Sequence, residues 1–241
     1  MLKDWTKFEK IWLLVSTSVI LLLSFIWDDT LIGTIASLTG ILAVVLVAKG
    51  KISSYYFGLI QAITYGYVAY GYNLIGEAQL NWIIYAPLQI VGFILWKKNQ
   101  NKLETTNNGA DIQAKRLPPY GWILLALGAT SLYFLYSGYL FEQNATLAGL
   151  DALAVILSII AQILMVLRYV EQWILWIIIN VITISLWATV LFTTGGNDYT
   201  ILAMWIAFLL NSIYGYINWR KISKENVIWN LYSTVGTRFL K

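Results

Sequence analysis

The sequence contains no cysteine and no histidine. Disulfides, thiolate nucleophiles and cysteine-bound metals are thereby excluded. Charge is also scarce, at 12% of 241 residues, against roughly 25% in a typical soluble domain. A water-soluble fold of this length has no means of hiding a chain that is 59% hydrophobic. With neither histidine nor paired carboxylates nor a mid-span lysine, a proton relay, hydrolytic or transfer chemistry and a retinal Schiff base all lack their parts. No cofactor, no metal and no enzymatic activity are expected.

What is present is a series of long apolar blocks. They run Ile11–Trp27, Leu31–Ala48, Tyr55–Tyr72, Leu80–Trp96, Tyr120–Phe141, Ala148–Leu167, Trp173–Phe192 and Tyr199–Trp219. Each is close to the ~20 residues needed to cross a bilayer's hydrocarbon core. Each is continuous instead of alternating with period 2, so helices are predicted and not barrel strands. The first block ends in Trp27-Asp28-Asp29 instead of a small-residue cleavage site, which marks a mature helix and not a signal peptide. The expected fold is all-α and integral to the membrane, with eight transmembrane helices.

The 16 basic residues set the orientation. They flank the blocks at Lys3, Lys7 and Lys10, at Lys49 and Lys51, between Lys97 and Arg116, at Arg168, and from Arg220 onward. With eight spans all of them fall on one face, and that face is predicted to be cytoplasmic, with both termini. The opposite face carries Asp28, Asp29, Glu77, Glu142 and Asp198. Asp151 is the one acidic residue placed inside a span by these boundaries. The net charge of +4 is explained by this asymmetry and not by a nucleic-acid surface. Aromatic residues near span ends, among them Trp12, Trp27, Tyr120 and Trp219, suit interfacial belts.

A hydrophilic segment from Lys97 to Pro119 separates two similar halves. Thr30-Leu31-Ile32-Gly33 reads like Thr146-Leu147-Ala148-Gly149, Gln61 and Thr64 line up with Asn180 and Thr183, and Trp82, Gly92 and Trp96 recur as Trp205, Gly215 and Trp219. The plan is one plus three plus one plus three: an extra helix in 1–29, a three-helix bundle in 30–98, a cytoplasmic linker and connector helix in 99–145, a second three-helix bundle in 146–225, and a cytoplasmic tail in 226–241. Equivalent helices four crossings apart make the repeat parallel. Such repeats place a substrate between them near the midplane.

Polar residues within spans are the candidate site, because hydrocarbon penalises them unless they meet another helix or water. Trp173, Trp176, Asn180, Thr183 and Trp187 share one helical face by their spacing of three and four, and Asn211, Tyr214 and Asn218 share another. Gln61, Thr64 and Tyr65 on the third span and Trp82, Tyr85 and Gln89 on the fourth add to these. Aromatic rings stack on a flat ligand, carboxamides donate to and accept from its polar edge, and a cationic ring gains further from a Trp face. The competing explanation is that Asn and Gln bridge helices and Trp fills space.

Trp173-x-x-Trp176-x-x-x-Asn180 and Asn211-x-x-Tyr214, followed by Asn218-Trp219 and basic residues, resemble the PnuC family of bacterial vitamin transporters. The similarity extends over nearly the whole chain. It implies a fold similar to SWEET sugar transporters in the bacterial cytoplasmic membrane. It further implies facilitated diffusion of nicotinamide riboside, trapping of that substrate by intracellular phosphorylation, and a homo-oligomer such as a trimer. Trp173, Trp176, Asn180, Asn211 and Tyr214 carry over as substrate contacts. Gln61 and Gln89 are added as buried amides, and Asn218, Thr183 and Thr64 as neighbours on the same faces. Thiamine, riboflavin or a deoxynucleoside shares the flat ring and remains an alternative cargo; a non-transporting membrane receptor is the alternative from another class.

Overall fold

A computed structural model describes residues 5–72, 74–100, 111–142, 148–194 and 199–236. These residues form eight helices: α1 (Lys7–Ile26), α2 (Leu31–Ala48), α3 (Ser54–Gly71), α4, α5 (Pro119–Glu142), α6 (Ala148–Val166), α7 (Gln172–Thr194) and α8 (Tyr199–Gly236). The helix α4 is built of three consecutive segments, Ile75–Gln79, the π-helical Leu80–Tyr85 and Ala86–Gln100. Seven of these helices are long and apolar enough to cross a membrane. The eighth, α3, is 18 residues long, like α2; its tyrosines, glycines, Gln61 and Thr64 lower its hydropathy.

Local signals explain the ends. Thr6 and Glu9 form a reciprocal capping box at the start of α1, which satisfies two of the otherwise orphaned N–H groups. Thr30 accepts from Gly33 N at 3.0 Å and caps α2. At the far ends of α2 and α6 the chain turns through left-handed residues, Gly50 (φ 71°) and Arg168 (φ 67°). In each case the next amide reaches back five residues, Lys51 N to Leu46 O and Tyr169 N to Leu164 O, both at 2.8 Å. These are the 6→1 bonds of a Schellman ending.

Six helices close into a ring, with contacts running α2, α3, α4, α6, α7, α8 and back to α2. The helix α1 lies over the seam between α2 and α8, and α5 packs on α6. Both outer helices turn apolar side chains outward: Leu14, Leu22 and Phe25 on α1, and Leu124, Leu127, Phe134 and Leu135 on α5, are all exposed in the isolated chain. In a bilayer such surfaces meet lipid tails.

Two tryptophans tie the ring across its two seams. Trp96 Nε1 on α4 donates to Val166 O at the end of α6 at 3.2 Å, and Trp219 Nε1 on α8 donates to Val47 O near the end of α2 at 2.9 Å. Both rings are fully buried and lie 5.9 Å apart. A strap from Asp111 to Leu117 crosses the same end. Asp111 accepts from Ile52 N at 3.1 Å and pairs with Lys51, Lys115 N donates to Arg168 O at 2.8 Å, and Glu171 accepts from Arg116 Nε at 2.8 Å and Leu117 N at 2.9 Å. Burial, and then the nearby Arg168 charge, hold the Lys115 ammonium below its usual pKa. The basic turns of the chain therefore meet at one end of the ring.

Thr146, compared above with Thr30, lies outside the described residues, as do positions 101–110 of the linker and the side chain of Asp151. The helix of the last apolar block runs past Trp219, since α8 continues as one helix to Gly236.

Candidate functional site

Inside the ring, between two layers of packed aromatic residues, is a cavity lined by amide, hydroxyl and indole side chains. One layer, at the basic end, includes Tyr55, Trp96, Trp173 and Trp219; the other includes Tyr65, Trp187 and Trp205. All six ring helices contribute to the wall.

From α7 come Trp173, Trp176, Asn180 and Thr183, in register over three turns. Trp173 rests directly on Gly215 of α8, where an added Cβ would lie 2.6 Å from its ring. Glycine at that position lets the indole lie flat against the neighbouring backbone. Trp176 is half-buried and meets Tyr85 edge-on, with centroids 6.2 Å apart. Asn180 donates from Nδ2 to Ser212 Oγ at 2.9 Å, which fixes its amide, and its Oδ1 has no partner among the described residues.

From α3 comes Gln61, and from α4 come Glu77, Asn81, Tyr85 and Gln89. The amide of Gln89 lies over Gly58, where a Cβ would sit 2.7 Å from its Oε1. The four α4 residues are spaced by four. In a regular α-helix each such step overshoots a turn by about 40°. The wider π-helical turn at Leu80–Tyr85, marked by Ala86 N bonding to Asn81 O, offsets part of that drift and keeps all four on the cavity side. π-Helical turns of this kind are frequent at functional sites.

The wall holds buried polar atoms that have no hydrogen-bond partner among the described residues: Ser54 Oγ, Asn81 Oδ1, Gln162 Nε2, Trp173 Nε1, Asn180 Oδ1, Thr183 Oγ1 and Trp205 Nε1. Buried polar groups are normally paired, by protein, water or ligand. Donors and acceptors gathered around one cavity are what a polar, flat solute requires.

Of the sequence candidates, Trp173, Trp176, Asn180, Thr183, Gln61 and Gln89 are thus brought together in the wall. The other four make protein contacts. Asn211 Nδ2 donates to Val44 O at 2.9 Å, Asn218 Nδ2 to Ala48 O at 2.9 Å, and Tyr214 OH to Glu9 Oε1 at 2.8 Å. Thr64 returns its hydroxyl to Ile60 O at 2.8 Å on its own helix.

Glu77 requires a correction. The sequence reading puts it on the surface opposite the basic residues, because the fourth uncharged block begins at Leu80. The helix begins at Ile75, and Glu77 is 7% exposed and lines the cavity. Sequence reasoning also missed Ser158 and Gln162 on α6 and Phe208 and Ser212 on α8. The spacing Trp205, Phe208, Ser212 was available as a signal, one face away from the stripe that was singled out.

Comparison with known proteins agrees with this architecture. Residues 30–221 match the nicotinamide mononucleotide transporter family. A protein of Neisseria mucosa called nicotinamide riboside transporter PnuC is 42% identical over 92% of this chain and 84% of its own. One of the same name from Haemophilus influenzae is 40% identical over 92% of this chain and 93% of its own. A crystal structure of the vitamin B3 transporter PnuC superposes with a TM-score of 0.84 at 41% identity, covering 92% of this chain and 94% of that one. With a ring of membrane helices around a polar, aromatic cavity and similarity along most of its length, the chain belongs to the PnuC family of the nicotinamide mononucleotide transporters.

Proposed function

We propose that this protein carries nicotinamide riboside across the cytoplasmic membrane by facilitated diffusion, with Trp173, Trp176, Asn180, Thr183, Gln61 and Gln89 as its contacts. The observation that carries the reading is the set of unpaired amide, hydroxyl and indole groups on one aromatic-walled cavity. Indoles stack on the pyridinium ring and the amides address the carboxamide and ribose hydroxyls. The relatives named above are riboside transporters, whereas the family description names the mononucleotide. The cavity favours the riboside. Among the described residues lining it none is Lys or Arg, and Glu77 is acidic, so a phosphate would be desolvated without a counter-charge.

The same reading places the basic end of the ring, and both termini, in the cytoplasm, as the charge bias requires. It treats the chain as one plus three plus one plus three helices with the two triplets in parallel. The matched Trp96 and Trp219 bonds across the seams and the matched turns at Gly50 and Arg168 support that repeat. Trapping by an intracellular kinase would make downhill flux accumulate substrate, and assembly into a homo-oligomer such as a trimer belongs to the same reading.

The test is uptake. Purified protein in liposomes loaded with a riboside kinase and ATP should accumulate labelled nicotinamide riboside well above protein-free liposomes. Uptake at the protein-free level, with thiamine or a deoxynucleoside taken up instead, would replace the cargo; specific binding with no flux would make the protein a receptor.

A further inference from the structure

The role of Glu77 goes beyond enclosing the cavity. It stands in the first turn of α4, where the positive end of the helix dipole favours an anion. Tyr65 OH donates to its Oε2 at 3.3 Å and in turn accepts from Trp187 Nε1 at 2.8 Å. Asn81 Nδ2 bonds to its carbonyl at 2.9 Å, tying the residue to the next turn. The carboxylate is therefore held by a buried relay of donors in a cavity that has, among its described lining residues, one formal negative charge and no positive one. A neutral flat solute gains nothing from such a charge; a permanent cation entering the membrane's interior does, because it leaves its hydration behind and an opposite charge adds to what the indole faces recover of that loss. Charge complementarity of this kind acts mainly on selectivity.

We propose that Glu77 is the specificity-determining residue that reads the positive charge of the substrate's ring, so that the site selects a cationic pyridinium riboside over a neutral ring of the same shape. The proposal rests on the nicotinamide riboside assignment and adds a charge filter to it. Recognition is divided: indoles and amides read the shape and hydrogen-bonding edge, and Glu77 reads the charge.

The experiment uses the purified full-length chain and two probes, nicotinamide riboside and its neutral 1,4-dihydro form, with affinities measured by calorimetry. Wild type should bind the cation at least about tenfold more tightly. Glu77→Gln should weaken the cation by about tenfold while the dihydro form stays within about threefold, so the preference disappears. Glu77→Asp, which keeps the charge, should retain the preference and serves if the Gln variant does not fold. Equal affinity of wild type for both probes overturns the charge filter and leaves the substrate assignment standing, as does an equal loss of both probes in Glu77→Gln. Binding of neither probe by folded wild type overturns the assignment and the filter with it.

Discussion

Along α7, Trp173, Trp176, Asn180 and Thr183 reach the cavity, whereas along α8 Asn211, Tyr214 and Asn218 reach two carbonyls of α2 and a carboxylate of α1. The two stripes have the same three-and-four spacing and the same mixture of amide and aromatic groups. What separates them is the neighbour each one faces. The α7 stripe points into the ring, where several of its polar atoms have no partner among the described residues; the α8 stripe points toward α2 and α1, whose carbonyls and carboxylate accept from its amide N–H and hydroxyl groups, with Asn211 Oδ1 alone left over. Tyr214 goes further and joins a buried ion pair, Lys49 Nζ to Glu9 Oε2 at 2.7 Å, that pins α1 to the end of α2. Identical sequence grammar thus serves binding on one helix and assembly on the next.

The largest effect should come from the assembly side. Glu9→Gln removes the carboxylate from a buried Lys49 and should cost about 3–5 kcal/mol of stability, read as a lower melting temperature of the detergent-solubilised protein. Riboside affinity of the fraction still folded should change little. A loss of affinity at unchanged melting temperature would place the α8 stripe in the site after all.

On the binding side, Trp176→Ala should lose about 1–3 kcal/mol of affinity, the size of a base-stacking contact, with a melting temperature close to wild type. Unchanged affinity in that variant returns Trp176 to packing. Asn180→Ala is expected to lose about 1 kcal/mol of affinity through one hydrogen bond to the ligand, measured by the same titration, and Asn180→Asp should distinguish the unpaired acceptor Oδ1 from the donor already given to Ser212.

The smallest effect is reserved for Asn218→Ala. Interhelical side-chain bonds in membranes average about 0.6 kcal/mol, so the loss of the bond to Ala48 O should appear as a slight melting shift and leave binding untouched. If Asn218→Ala weakens binding as much as Asn180→Ala, the distinction between the two stripes fails.

Most of the fold was legible from the residues, because in hydrocarbon a long apolar run has one way to satisfy its backbone. The blocks coincide with the helices to within a few residues, apart from the early start of α4 and the extension of α8. Six of ten candidate contacts lie in the cavity wall, and for α7 the spacing alone found the face. The four others were indistinguishable by spacing, since periodicity specifies which residues share a face and not what stands opposite. Glu77 was misplaced for a related reason. A charged residue next to an apolar block reads as the end of a span, and its burial depends on Tyr65 and Trp187, contributed by α3 and α7.

By itself, then, the sequence determined that the chain crosses the membrane as helices, which end gathers its basic residues, and which side chains are polar without an obvious reason. Those are consequences of solvation, and solvation acts on residues one at a time. Which polar side chains face the cavity and which face a neighbouring carbonyl, and that the Glu77 carboxylate belongs inside, were decided only when six helices closed into a ring, because a partner is a property of two surfaces brought together.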